Sequence, residues 1–263
     1  MIKFFRHLRQ KLLSDNKLGK YLIYAFGEII LVVIGILVAL EVNNRNEAQK
    51  EVQLEIIMLE NIKRDLNLDT LDISFNLSFH QVFIKAEKQL LNFLLSNRNI
   101  PEVPIDYTAA LGMPMLIALH ESTFANLQNN NIGILSNNEL RKDIARYYDF
   151  FNDAIKMIEN DAEDLNTYTI KLPYFMKYFK IDPKAPPLQL NMPDSKDYYS
   201  TDLQKLGILL DKTNEAKKDE GFKILLNESI AFRQATIDMY ILMLNRIEEL
   251  NLAIDKELEV LKN

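Results

Sequence analysis

Residues 21–42 read YLIYAFGEIILVVIGILVALEV, and the fold follows from this run and its flanks. These 22 residues carry charge only at Glu28 and Glu41. An apolar helix of about 20 residues spans the hydrocarbon core of a bilayer. Ahead of it stand six cations, Lys3, Arg6, Arg9, Lys11, Lys17 and Lys20, against one acid, Asp15, so residues 1–20 carry +5. The chain as a whole carries −6 and the span −2, which leaves −9 on residues 43–263. Basic segments stay on the cytoplasmic side of a membrane. The expected topology is an inner (cytoplasmic) membrane protein with a cytoplasmic N-terminus and a large periplasmic C-terminal part. A cleaved signal peptide would have a shorter basic region and a small-residue cleavage site, which Val38-Ala39-Leu40-Glu41 does not provide. A buried core helix would not need six preceding cations. An uncleaved anchor is the expectation.

Within residues 1–13 (MIKFFRHLRQKLL), Ile2, Phe5, Leu8 and Leu12 share one helical face, with cations largely opposite. That pattern places Lys3, Arg6, Arg9 and Lys11 against anionic lipid head groups. Inside the span, Glu28, Gly35 and Ala39 fall on nearly one face by helical spacing. A carboxylate there is costly, and small residues let helices approach closely. One reading makes Glu28 an assembly or coupling residue, protonated or hydrogen-bonded, with Tyr24 one turn earlier as its partner. The other leaves it snorkelling or neutral near the inner interface, without a role in transport.

Breakers are scarce: seven Gly and eight Pro in 263 residues, with all the Pro between Pro101 and Pro193. Sheet proteins draw their frequent turns from Gly and Pro, so an all-α fold is expected. From Ile36 to Ile100 and from Phe222 to Asn263 neither residue occurs. Residues 43–96 therefore extend the membrane helix into a stalk that is also the first bundle helix. Its stripe is Val52, Ile56, Leu59, Ile62, Leu66, Ile73 and Leu77, and a break is plausible near Asn67–Asp72, where helix propensity is weakest. Such a stripe needs partner helices, in the same chain or a neighbour.

Residues 97–263 complete the helical region. NRNIPEVPIDY (97–107) and IDPKAPPLQLNMPDSKDYY (181–199) are the loops. Ser136-Asn137-Asn138-Glu139 fits a capping box. The helix behind it carries Leu140, Ile144, Tyr147, Tyr148 and Phe151 on its core face and is expected to run to about Thr169, with a kink or end near Pro173. A last helical region runs from about Tyr199, soft at Gly221, with Ile230, Ile237, Ile241, Leu244, Ile247, Ile254, Leu258 and Leu261 as its stripe. Long helices with short connectors give an antiparallel bundle.

The chemistry-bearing residues form no motif. Without Cys there is no thiolate metal site or thiol nucleophile. His80 and His120 are far apart, and each reads as a packed or surface side chain rather than a ligand. Asp65, Asp69 and Asp72 read as a solvated helix face. No Walker loop, dinucleotide fingerprint or nucleophile elbow is present, so no cofactor is expected. The acidic exterior argues against nucleic acid.

The string MIKFFRHLRQKLLSDNKLGKYLIYAFGEIILVVIGILVALEVNN resembles a large uncharacterised family of Gram-negative bacterial membrane proteins. In that family a basic arm, a Gly-Glu-Ile segment and an Asn-rich exit precede a helical periplasmic region. STFANLQNNNIGILSNNELRKDIARYY (122–148) is similar to a second stretch of the family, and LLNESIAFRQAT to a third. Asn131 departs from the pattern, which has Gly there. The resemblance makes Glu28 part of the family's motif and implies no activity. The expected class is a membrane-anchored, non-enzymatic interaction or scaffold protein that self-associates and engages a membrane or periplasmic protein. The alternatives are an ion- or proton-coupled channel or motor subunit using Glu28, and a periplasmic ligand sensor.

Overall fold

The computed structural model describes residues 18–113, 117, 119–130, 132–160, 167–185 and 207–263. The chain divides into two compact units, Met1–Ile56 and Ile57–Asn263. One helix, α1 (Leu18–Leu95, 78 residues), enters both. It passes through Asn67–Asp72 unbroken. Thr70 Oγ1 donates to Leu66 O at 2.9 Å and Asn76 Nδ2 to Asp72 O at 2.9 Å, so weak helix formers keep their polar atoms on the helix's own carbonyls. Leu66, Asp69 and Ile73 are fully buried, and packing of this kind overrides propensity. Beyond Leu95 the freed carbonyls find a cation: Lys217 Nζ donates to Ser96 O at 2.6 Å and to Arg98 O at 2.7 Å.

The second unit is built of four legs. After the Ile57–Leu95 part of α1, a second leg carries α2 (Tyr107–Leu111), α3 (Ser122–Asn130) and a single 3₁₀ turn (Ile132–Ile134). The third carries α4 (Asn138–Asn160) and α5 (Thr167–Tyr178). A hairpin of β1 (Phe179–Ile181) and β2 (Ile208–Leu210) leads to α6 (Thr213–Lys218) and to the fourth leg, α7 (Glu220–Lys262).

Directions follow from the pairings. Lys63 pairs with Asp255, Asn251 Nδ2 donates to Asn67 Oδ1 at 3.4 Å, and Ser229 Oγ donates to Glu87 Oε1 at 2.9 Å. One index rises as the other falls, so α1 and α7 are antiparallel. Asn137 pairs with Glu257 and Asp143 with Arg246, so α4 is antiparallel to α7 as well. The second leg returns along α1, with Ala110 close to the Glu87 level and His120 at Asp69. Successive legs therefore alternate in direction. The antiparallel bundle is as expected, with an irregular second leg.

Several local expectations are corrected. The α4 cap is Asn137, not Ser136: Asn137 Oδ1 accepts from Glu139 N and Leu140 N, both at 3.1 Å. Of the kink or end expected near Pro173, the end does not occur, since Pro173 lies inside α5. Proline forfeits its own backbone bond, but Lys171, Phe175 and Tyr178 on either side are buried. Ile208–Leu210 is a strand, antiparallel to Phe179–Ile181 with Phe179 opposite Leu210. The last helix begins at Glu220, where Asp219 Oδ1 accepts from Phe222 N at 3.1 Å. Its buried face also differs in the first half: Ser229, Arg233, Thr236 and Tyr240 point inward, while Ile241 is exposed.

An aromatic core closes the hairpin end. Phe175 stacks on Phe179 at 4.3 Å and Tyr174 on Phe222 at 5.2 Å, with Phe79, Phe83, Leu90 and Leu226 packed into the same cluster.

Candidate functional site

Among the described residues, one helix is long and apolar enough to cross a bilayer. In its first unit the side chains from Leu22 to Val42 are exposed at every large aliphatic position, with Ile23 at 73% and Leu31 at 70%. An exposed apolar run of this length marks a surface made for a membrane or for another protein. Glu28 is half-buried and lies on the helix face shared with Gly35 and Ala39. A methyl group added at Gly35 would meet no atom within 4 Å. Tyr24 lies within the helix. Lys3, Arg6, Arg9 and Lys11 lie outside the described residues.

The second unit holds a buried charged cluster to which all four legs contribute. Glu87 and Lys171 have no exposed side-chain surface, and Arg233 has 5%. Lys171 Nζ donates to Glu87 Oε1 and, at 2.9 Å, to Ala110 O. Arg233 Nε reaches both carboxylate oxygens at 3.2 Å, and its Nη2 reaches Oε1 at 3.0 Å. Ser229 Oγ adds a further bond to Oε1. One carboxylate thus receives two cations and a hydroxyl. The Arg233 guanidinium lies 4.9 Å from the Phe83 ring centroid.

Gly112 ends α2 with φ 75° and packs directly on the cluster: a Cβ there would stand 3.0 Å from Arg233 Nη2 and 3.7 Å from Lys171 Nζ. Burial pushes the Lys171 ammonium down to about 8, against the pull of Glu87. His80 Nδ1 sits 3.2 Å from Arg233 Nη1. Burial, reinforced by Arg233, pushes His80 down to about 3, so its ring is neutral and Nδ1 accepts. Among the described residues its other nitrogen, Nε2, has no hydrogen-bond partner.

A second cluster sits nearer the start of the bundle. Asp69 Oδ1 accepts from His120 N at 2.7 Å and lies 3.0 Å from His120 Nδ1, while Tyr147 OH donates to Oδ2 at 2.9 Å. Asp65 Oδ2 accepts from Thr123 N at 3.2 Å. Asp65 thus holds an amide in the first turn of α3 and Asp69 the His120 amide just ahead of it, where Glu121, whose carbonyl accepts from Ala125 N, is not a short polar cap. Burial raises the Asp69 carboxyl, with the His120 and Tyr147 bonds opposing it. Burial and the neighbouring Asp69 charge also raise the Tyr147 hydroxyl. The expectation of a solvated acidic face is corrected here: Asp69 is wholly buried and Asp65 nearly so. His80 is packed and His120 half-buried, as expected, with Tyr147 and Tyr148 in the core.

Between α4 and α7 runs an open groove of about 620 Å³, with Phe150, Phe151 and Leu242 as its apolar floor and Arg146, Arg246 and Glu249 among its polar walls. Among the described residues no group of three or more His, Asp or Glu is placed to hold a metal ion.

The molecule is thus an all-α protein whose apolar N-terminal helix is long enough to cross a membrane. Residues 28–151 match a family of unknown function, DUF6090. The match begins at Glu28, takes in the Asp69–His120–Tyr147 cluster and ends in α4, before Lys171, Ser229 and Arg233. No curated protein and no solved structure matches the chain.

Proposed function

We propose that the protein is a single-span, membrane-anchored interaction module that works by holding proteins together and not by catalysis. Its N-terminus is cytoplasmic, and its helical unit stands on the periplasmic face of the inner membrane. The observation that carries this reading is the exposed apolar run Leu22–Val42, set between a +5 arm and a −9 remainder. Lys3, Arg6, Arg9 and Lys11 supply the charge that anionic lipid head groups would meet.

Alkaline carbonate extraction of membranes, followed by protease treatment of spheroplasts, tests it. The protein is expected to stay in the membrane pellet and to lose its helical unit to external protease. Release by carbonate, or protection of the C-terminal part, overturns the anchor or its orientation. Affinity purification from native membranes is expected to bring down protein partners, and Glu28→Gln is expected to leave that set unchanged. Loss of function with assembly intact in Glu28→Gln would instead favour ion or proton coupling.

A ligand-sensing role draws on the groove between α4 and α7, whose volume lies in the range of small-molecule sites. A ligand bound there is expected to raise the melting temperature, and Phe150→Ala to remove that effect.

A further inference from the structure

The Glu87 cluster is unbalanced in two ways. It sets two cations, Lys171 and Arg233, on one carboxylate, where neither Lys171 nor Glu87 has any exposed side-chain surface. Its donor count is uneven as well. Lys171 Nζ has two acceptors, Glu87 Oε1 and Ala110 O, and no third among the described residues. An ammonium brings three N–H groups to these two acceptors, whereas a neutral amine brings two. A buried donor without an acceptor is costly, and so is a buried charge without a counter-charge. Both faults disappear together when Lys171 gives up one proton.

No other member of the cluster can make that correction. Arg233 keeps its proton at any ordinary pH, and a proton on Glu87 would deepen the imbalance. His80 is already neutral, with Nδ1 turned to Arg233. From α2 the Ala110 carbonyl and Gly112 face the cluster, while the acid ahead of that helix, Asp106, caps Ala109 N at 3.0 Å. The charges near the far end of α5 are bound elsewhere. Lys177 and Tyr178 meet Asp219, Lys180 meets Asp211, and Lys217 holds the carbonyls that follow α1.

We propose that the cluster is a proton-operated joint, loose while Lys171 is an ammonium and tight once Lys171 is the neutral amine. Burial pushes the Lys171 ammonium down to about 8 against the pull of Glu87, with Arg233 adding its repulsion, so the change falls close to neutral pH. The neutral amine keeps both of its bonds, one to α1 and one to α2. Proton release therefore removes the repulsion from Arg233 without undoing a contact. All four legs meet here, through Glu87, Ala110, Lys171 and Arg233, and the tightening reaches each of them. The joint lies wholly within the helical unit and works on either side of a membrane. Between about 8 and the ordinary 10.5 the unfolded chain holds a proton that the folded chain has released. Stability thus rises with pH across that window.

NMR of isotope-labelled lysine side chains in the full-length chain, held in detergent micelles, reads the proton directly. Lys171 is the one buried lysine among the described residues, so its slowly exchanging amine protons identify it without a variant. Its midpoint is expected at about 8. Arg233→Gln restores one cation per carboxylate and is expected to raise that midpoint by at least about one unit. Urea unfolding of the natural chain and of Lys171→Met, at half-unit pH steps, measures the tightening. Relative to the variant, the unfolding constant of the natural chain is expected to fall roughly five- to tenfold from about pH 8.5 to about pH 9.5. A buried lysine that titrates near the ordinary 10.5 overturns the joint. So does a midpoint that Arg233→Gln leaves unmoved, or a pair of parallel urea curves. Should either variant fail to fold, the titration of the natural chain still settles the outcome.

Discussion

Asp69 and His120, 51 residues apart in sequence, are joined twice: one carboxylate oxygen accepts the His120 backbone N–H at 2.7 Å and lies 3.0 Å from its Nδ1. The other oxygen takes the Tyr147 hydroxyl. A single side chain of α1 therefore fixes the level at which the second leg enters α3 and at which α4 passes. This carboxylate is the junction of three legs.

Asp69→Ala is expected to destabilise the helical unit by about 3 kcal/mol, since a buried donor left without its acceptor costs about 1–3 kcal/mol. Asp69→Asn keeps one acceptor oxygen and is expected to lose less, and Tyr147→Phe about 1 kcal/mol. Urea denaturation of the three variants checks the order. A double-mutant cycle between positions 69 and 147 is expected to show coupling, and additive losses would break the proposed link.

The same residue shows where sequence reading stops. Apolar spacing is legible, because Leu59, Ile62, Leu66, Tyr147 and Phe151 sit on core faces that periodicity alone selects. Asp65 and Asp69 share that face, yet their type argues for solvent. Only their tertiary partners, the amides of His120 and Thr123 and the Tyr147 hydroxyl, explain their burial. The slip along α7 has the same origin. Its inward positions include Ser229, Arg233 and Thr236, so a search for apolar residues slides to Ile230 and Ile241 beside them. The ion pair of Glu87 with Lys171 spans 84 residues and leaves no local trace. Strands of three residues, as at Phe179–Ile181, are too short to show a period. The apolar run needed no tertiary information, because a stretch of about 20 apolar residues is legible from composition alone.

The Glu87 cluster predicts an asymmetry between its members. Glu87→Gln strips two buried cations of their counter-charge and is expected to cost about 3–5 kcal/mol. Lys171→Met removes the surplus cation, leaves the Glu87–Arg233 pair and the Ser229 bond intact, and is expected to cost less. Chemical denaturation compares them. Equal losses would show that Lys171 and Glu87 act only as a mutual pair, with Arg233 uninvolved.

Gly112 carries a positive φ and stands against Arg233. Gly112→Ala therefore meets backbone strain and a contact at 3.0 Å together, and is expected to cost about 1–3 kcal/mol. Gly112→Ala combined with Arg233→Lys separates the two effects. The shorter reach of the ammonium relieves the contact and leaves the strain. Arg233→Lys is therefore expected to cost less when Gly112→Ala is already present than when introduced alone, and equal costs would leave strain as the whole effect.

His80 gives the bundle a defined response to acid. Its folded value of about 3 lies below the ordinary 6.5, so between these values the unfolded chain binds a proton that the folded chain does not. Stability then rises with pH across this window and falls as pH drops from 6.5 toward 3. His80→Gln keeps an acceptor within reach of Arg233 and removes the titrating ring. Relative to this variant, the natural protein is expected to lose on the order of a few kcal/mol between about pH 6.5 and pH 3.5. Urea midpoints at half-unit pH steps measure the difference, and two parallel curves would mean that His80 is protonated in the folded protein.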